Sequence, residues 1–154
     1  MSSSELRDRL EISIQQHRDE YVAIAKDIHA HPETGNNEYY ASGLLTTLLE
    51  KHGFAVTVNV AGHETAFCAV KESGKPGPTI AYLAEYDALI DIGHACGHNL
   101  IGVTSIAAAI ALSETLDRTG GKVVVLGTPA EEGGLRGKGG LNGTVTARLV
   151  QHGF

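Results

Sequence analysis

Two β-rich apolar runs, separated by one long alanine-rich stretch, constrain the fold of this chain more than any other feature. The runs "TIAYLAEY" (79–86) and "KVVVLGT" (122–128) each have the length and composition of a buried strand. Between them, "NLIGVTSIAAAIALSETLDRTGG" (99–121) is typical of a helix, with Asn99 as its predicted cap and Gly120 at its end. This order predicts a βαβ unit, in which the two strands are parallel and the crossover is right-handed.

The N-terminal half predicts two helices and a pair of strands. Apolar residues recur at intervals of three, four or seven from Leu6 to Ile28, which indicates one amphipathic helix that must end before the next proline. A second helix is predicted over 40–49, where a glycine follows as its stop signal. The short runs "FAVTVNV" (54–60) and "TAFCAV" (65–70) then predict paired strands.

Composition limits the function of the chain. Its 154 residues are 42% apolar, which suits one domain with a packed core, and no segment is apolar for long enough to span a bilayer. A formal charge of −6 argues against nucleic-acid and anionic-membrane partners. The charged N-terminus is unlike a secretory signal and two cysteines are too few for a disulfide scaffold, so a reduced, cytoplasmic protein is expected. One of them, Cys68, lies in an alternating strand and is predicted to be a core thiol.

The segment "GHACGHN" (93–99) directly follows the first buried strand and places two histidines and a cysteine at every second residue. In an extended stretch this spacing would put His94, Cys96 and His98 on one face. Imidazole nitrogen and thiolate sulfur are ligands that borderline divalent metals prefer. The alternative is a glycine-loosened turn with a buried thiol and two surface histidines, and the heptapeptide alone leaves both interpretations open.

Carboxylates follow both strands of the βαβ unit: Asp87 after the first, Glu131 and Glu132 after the second. Parallel strands end at one sheet edge, so these carboxylates are expected to meet the histidine–cysteine loop there. One glutamate can then bind metal while its neighbour takes a proton from water, and Asp87 can hold a ligating imidazole with Glu85 in support. The alternatives are a solvated acidic turn and a turn-capping aspartate. The sequence has neither a GxxxxGK[ST] phosphate loop nor a GxSxG nucleophile elbow.

Four segments in this order resemble the M20 family of metallopeptidases and amidohydrolases: "HPETGNNE", "YLAEYDAL", "IGHACGHN" and "LGTPAEEGG". The resemblance covers residues 6–134 and is greatest to a dipeptidase-like branch. It implies an α/β fold, namely a three-layer helix–sheet–helix zinc-peptidase catalytic domain that holds two divalent ions, zinc or manganese. It also implies hydrolysis of an amide bond next to a carboxylate, in small substrates such as N-acyl amino acids or dipeptides.

The resemblance also implies a role for individual residues of these segments. Cys96, His98 and Glu132 match metal ligands. Glu131 matches the general base, and Asp87 matches the aspartate that orients the site. The resemblance therefore divides the two adjacent glutamates between metal binding and proton transfer, as the arrangement of the strands suggests.

Other residues support the ligands or depart from the family pattern. His94 belongs to the loop motif but resembles a residue behind the ligands, and Ile90 stands where the branch usually has proline. The segment 135–154 is a divergent, glycine-rich tail that ends in the start of a helix, where the role of His152 is left open. The family's later histidine ligands and its dimerising lid domain are not in this sequence. We therefore expect an N-terminal part of the catalytic domain, weakly active or inactive by itself, with homo-oligomers left open.

Two other functions are weighed against the hydrolase. A non-catalytic fragment could bind or regulate a full-length homologue, and assaying the purified chain would separate this alternative from a hydrolase. A structural zinc module fits worse, because such sites are usually closed by four cysteine or histidine ligands at short spacings, whereas a carboxylate pair dominates here.

Overall fold

The computed structural model of the chain describes residues 2–132. The predicted tail over 135–154, with His152, lies outside the described residues. Within them the chain forms five helices and a four-stranded sheet. The elements are α1 (Ser3–Gln16), α2 (Arg18–Ala30), α3 (Tyr39–Lys51), β1 (Ala55–Val58), β2 (Phe67–Glu72), β3 (Thr79–Ala84), α4 (His98–Ser113), α5 (Leu116–Thr119) and β4 (Lys122–Gly127).

The sheet has the strand order β1-β2-β4-β3. β1 pairs antiparallel with β2, and β2 pairs antiparallel with β4, which confirms the predicted strand pair. β3 and β4 are parallel, with Ala84 opposite Gly127 at their carboxyl ends. The parallel pair of the βαβ unit is therefore confirmed, but it lies at one side of a mixed sheet.

Helices α3 and α4 cover one face of the sheet, and α2 packs against both of them. Phe67 and Ala69 of β2 and Val123 and Val125 of β4 point into this core, and each is fully buried. Gly127 lies beside them, because a Cβ there would come within 2.3 Å of the Phe67 ring. The opposite face carries a smaller apolar cluster that includes Cys68, which is 1% exposed and is thus the core thiol that the alternation predicts.

The predicted single N-terminal helix is wrong, because the helix breaks at His17. This residue has φ −106° and ψ 7°, so it ends α1 and begins α2. Both helices pack against α4, which has 16 residues and is about 24 Å long. One continuous helix over Leu6–Ile28 would extend about 35 Å and could not keep its whole apolar face on so short a neighbour.

The prediction of two buried strands is correct for β4 but wrong for β3. Ile80 is 41% exposed and Leu83 is 44% exposed, whereas the β4 residues Val123 and Val124 are fully buried. In the described part of the chain, β3 has a neighbouring strand on the β4 side only. An apolar run is common to edge and central strands, so composition did not distinguish the two.

The single helix predicted over 99–120 is two helices in the structure, α4 and α5. Its N-cap is Gly97, in the left-handed conformation with φ 84°, and not Asn99. Asn99 lies inside α4, where its side-chain amide donates a hydrogen bond to the Ala25 carbonyl oxygen at 3.0 Å. The helix ends at Ser113 and a separate short turn, α5, leads to Gly120. Among residues 2–132, none of these helices combines the length and apolarity needed to cross a membrane.

Candidate metal centre

The candidate site lies at the carboxyl ends of β3 and β4. The two strand ends are held in register beyond the sheet, where the backbone N–H of Thr128 donates to the Ala84 carbonyl oxygen at 2.9 Å. β3 leads into the loop that carries Glu85 and Asp87, and β4 leads to the adjacent pair of glutamates. The predicted convergence of the two loops at one edge of the sheet is therefore present.

The loop that carries Cys96 and His98 is a turn and not an extended stretch, so the regular spacing does not place His94, Cys96 and His98 on one face. Gly97 donates its backbone N–H to the His94 carbonyl oxygen at 3.1 Å, and α4 begins at His98. The turn brings Cys96 and His98 together, whereas the His94 side chain lies beside His29. The His94 ring lies 6.3 Å from the ring of His29, and burial lowers the pKa of His94.

The buried carboxylate of Asp87 connects the two loops of the site. It is 1% exposed and accepts a hydrogen bond from His98 Nδ1 at 2.7 Å and from the backbone N–H of Glu132 at 2.9 Å. The thiol of Cys96 also contacts the Asp87 carbonyl oxygen, at 3.8 Å. A neutral ring that donates from Nδ1 to Asp87 has its lone pair on Nε2, where it can bind a metal.

Three glutamates surround this free nitrogen. His98 Nε2 lies 3.4 Å from Glu85, 3.5 Å from Glu131 and 3.8 Å from Glu132. Two sets of potential ligands share His98, one with Cys96 and Glu132 and one with Glu85 and Glu131, and within each set the ligand atoms lie within 4.8 Å of one another. The predicted ligands and base are thus gathered in one place, and Glu85 is nearer to His98 than the sequence suggests. Their separate roles stay a prediction.

The electrostatics of the cluster favour a cation. Burial raises the pKa of Glu85, and the negative charge of Glu131 raises it further. Burial also raises the pKa of the Cys96 thiol, to which the carboxylate of Glu132 adds. A divalent ion would offset the repulsion between these groups and favour the thiolate. Donors of nitrogen, sulfur and carboxylate oxygen within 4.8 Å of one another fit such an ion.

Comparisons with known proteins identify the family. No family model matches the chain. It is 40% identical over 141 residues to a component of the p-aminobenzoyl-glutamate hydrolase of Escherichia coli K12, covering 79% of this chain and 29% of that protein. It is 38% identical over 141 residues to Xaa-Arg dipeptidase of Mus musculus, covering 84% and 33%. A dinuclear metal binding peptidase from the M20 family of Bacillus subtilis has the same fold, with a TM-score of 0.66 at 23% identity over 77% of this chain and 36% of that one.

The chain belongs to the M20 family. The resemblance in four sequence motifs is confirmed, and so is the α/β class of the M20 catalytic domain. The M20 chain spans 29–33% of the length of the two curated relatives.

Glu38 is a residue of the M20 chain whose role sequence reasoning missed. Its carboxylate is fully buried and accepts hydrogen bonds from the Thr65 hydroxyl at 2.9 Å and from the backbone N–H of Ala130 at 2.8 Å. Ala130 has a positive φ of 57° and directly precedes the glutamate pair. Glu38 therefore holds the backbone from which Glu131 extends. The signal was its place at the end of "HPETGNNE", in a segment that otherwise reads as a polar turn.

A cleft of about 280 Å³ lies next to the candidate metal centre. Asp87 and Glu132 contribute carboxylates to its lining, and Leu89, Ile90 and Ile92 contribute an apolar wall. Ile90 is 67% exposed, which leaves its side chain available to a small apolar group. The M20 chain thus has a shaped surface beside the potential ligands as well as the ligands themselves.

Proposed function

We propose that this chain provides the metal-binding and proton-transferring part of an M20 hydrolase that cleaves amide bonds in N-acyl amino acids or dipeptides. The observation that carries the proposal is the Asp87 carboxylate, which joins His98 to the backbone of Glu132 and so gathers ligands from two separate loops. The relatives support the class of reaction, since their names describe a hydrolase of p-aminobenzoyl-glutamate and a dipeptidase.

Cys96, His98 and Glu132 would hold the first divalent ion, zinc or manganese. Glu85 lies within reach of a second ion that shares this edge, and the structural neighbour from Bacillus subtilis is described as dinuclear. When bound, such an ion lowers the pKa of water and polarises a carbonyl group. Cys68 and Cys96 are both free, which is compatible with a cytoplasmic location.

The protein groups divide the remaining work. Glu131 is 37% exposed at its side chain, so its Oε2 can accept a proton from an attacking water and return it to the leaving amine. Asp87 keeps the His98 proton on Nδ1 and fixes the ring. The apolar wall with Ile90 can contact the side chain of an acyl or aminoacyl group, and its position beside Glu132 places that group next to the site.

The first test measures metal. Equilibrium dialysis against Zn²⁺ or Mn²⁺ should show a loss of most of the ion at this site in Cys96→Ala and in His98→Ala, because each change removes a ligand. Cys68→Ala is the matched control, because it removes a buried thiol that belongs to none of the potential ligand sets of the described residues. Unchanged metal content in both ligand variants would refute the site.

The second test measures turnover. In a full-length relative that carries the same "HACGHN" and "PAEEGG" segments, glutamine at the position of Glu131 should abolish hydrolysis of N-acyl amino acids and dipeptides. Its metal content should stay nearly unchanged, because a base and not a ligand is lost. The isolated 154-residue chain should bind metal weakly and hydrolyse these substrates negligibly. Robust metal-dependent cleavage by the isolated chain would contradict that expectation, and turnover that survives the glutamine substitution would contradict the role of Glu131.

A further inference from the structure

A second group of potential metal ligands lies far from the sheet edge in sequence, where α1 gives way to α2. His17 occupies the break between these helices, and Glu20 lies in the first turn of α2. His52 follows α3 directly and comes to the same place. One ligand atom from each of the three residues lies within 4.8 Å of the others.

Both histidines lie close to the same carboxylate oxygen of Glu20. Glu20 Oε2 lies 3.9 Å from His17 Nδ1 and 3.7 Å from His52 Nε2. These separations are too long for hydrogen bonds, but they are near the spacing of about 3.4 Å that two ligands adopt around a tetrahedral zinc at about 2.1 Å. The two imidazole rings meet edge to face, with centroids 4.7 Å apart.

The His52 side chain gives independent evidence that an ion binds here. Its side chain is only 10% exposed, and its Nε2 is buried with no hydrogen-bond partner among the described residues. A buried polar nitrogen without a partner is costly, and it is oriented towards Glu20 Oε2 and the His17 ring. The burial of this nitrogen beside a carboxylate oxygen and a second imidazole is the arrangement expected of a metal ligand.

Glu20 has one oxygen committed and one available. Its Oε1 accepts an ion-paired hydrogen bond from Lys51 Nζ at 2.5 Å, which leaves Oε2 facing the two histidines. The ion pair with Lys51 fixes the orientation of the Glu20 carboxylate. Two imidazole nitrogens and one carboxylate oxygen form a ligand set typical of zinc with one position left for water.

We propose that His17, Glu20 and His52 bind one divalent ion of the zinc class, separate from the candidate metal centre. The ion would join the α1–α2 junction to the end of α3 and so brace the helical layer that packs on the sheet. This inference does not depend on the proposed hydrolase function, because it shares no residue with that site.

The test uses the whole chain and cadmium as a spectroscopic substitute for zinc. ¹¹³Cd NMR of the unaltered protein should show one resonance in the range of nitrogen and oxygen ligands, besides any thiolate-shifted resonance from the Cys96 site. His17→Gln and His52→Gln should each remove the first resonance and one equivalent of zinc in equilibrium dialysis. His63→Gln is the matched control, because His63 belongs to neither ligand cluster of the described residues.

A further variant tests the role of Glu20 by an expected gain in zinc affinity, whereas the histidine variants test for a loss. Lys51→Gln removes a competing cation from the carboxylate, so it should increase the affinity for zinc severalfold. Circular dichroism checks that each variant is folded. Absence of the nitrogen–oxygen resonance in the unaltered protein would overturn the proposal without recourse to any variant. Equal zinc content in His17→Gln, His52→Gln and the control would overturn it as well, and an unchanged affinity in Lys51→Gln would exclude Glu20 as a ligand.

Discussion

Asp87 is a single side chain on which two potential ligands of the candidate metal centre depend. It is almost fully buried, yet it carries a carboxylate, and its two oxygens accept from His98 Nδ1 and from the backbone of Glu132. A buried carboxylate is stable only when such donors satisfy it. The same two hydrogen bonds that stabilise Asp87 therefore orient the histidine and fix the loop after β4.

Replacing Asp87 with asparagine should weaken metal binding by about 10–100-fold, because the neutral amide no longer orients His98 as strongly. The measurement is a zinc titration with a competing chelator. Asp91→Asn is the matched control, because Asp91 is exposed in the same loop and has a positive φ of 67° that asparagine tolerates. Equal affinity in Asp87→Asn and the control would show that Asp87 does not support the ligands.

Glu38 joins three elements of the fold. It precedes α3 directly, accepts from Thr65 shortly before β2, and accepts from Ala130 after β4. Glu33 makes a comparable link nearby, since its carboxylate accepts from the backbone N–H groups of Tyr40 and Ala41 in the first turn of α3. The "HPETGNNE" segment thus connects the start of a helix with the backbone of the site.

Glu38→Ala should lower the free energy of unfolding by about 1–3 kcal/mol, because it leaves the Thr65 hydroxyl and the Ala130 N–H buried without their acceptor. Glu38→Gln should cost less, since its amide oxygen can still accept from Ala130. Urea unfolding of the three proteins measures the difference. The idea fails if alanine and glutamine have the same effect.

The pH dependence of the same variants follows from the direction of the pKa shift. Burial raises the pKa of Glu38 in the folded chain, so the folded state holds this proton more tightly than the unfolded state. Between the ordinary and the raised pKa, stability is therefore lost as pH rises. Glu38→Gln lacks this ionisation, so its stability relative to the original chain should improve as the pH rises from about 4, the ordinary pKa of glutamate, through the raised pKa. A constant difference across this range would contradict the shift.

Gly127 ends β4 opposite Phe67 of β2. Gly127→Ala should destabilise the chain by about 1–3 kcal/mol, because its Cβ would meet the buried Phe67 ring at 2.3 Å. Gly43→Ala is the matched control: Gly43 lies inside α3 with nothing within 4 Å of the added atom. This helical change should stabilise by about 0.5–1 kcal/mol. Thermal unfolding should therefore move in opposite directions for the two variants, and movement in the same direction would refute the packing argument.

For the whole molecule, β3 has β4 as its sheet neighbour in the described residues, and the apolar side chains of Ile80 and Leu83 are exposed. Such an edge is a template for pairing with another chain. Leu83→Lys should reduce concentration-dependent self-association, because a charge on the strand opposes that pairing. Sedimentation velocity over a range of protein concentrations measures the effect. Association that is equal in Leu83→Lys and the original chain would show that β3 is not the contact.

The sequence by itself determined the class of the fold and the composition of the candidate site. Strand composition and helical periodicity are local properties, so they were sufficient to predict the parallel β3–β4 pair and α3. The order of strand, loop and strand also places Asp87, the histidine–cysteine loop and the glutamate pair at one edge, because parallel strands end on the same side. The alternation around Cys68 is also a local property, so it was sufficient to predict a core thiol.

Only the tertiary structure decided which partners these residues have. The break at His17 depends on packing against α4, and the contact of His17 with His52 joins the α1–α2 junction to the end of α3. The turn before α4 separates His94 from Cys96 and His98, although their spacing is regular. Glu38 reaches Ala130 from 92 residues away. Local patterns record the periodicity of one segment, whereas hydrogen bonds and burial depend on contacts between distant segments, and these form only when the chain folds.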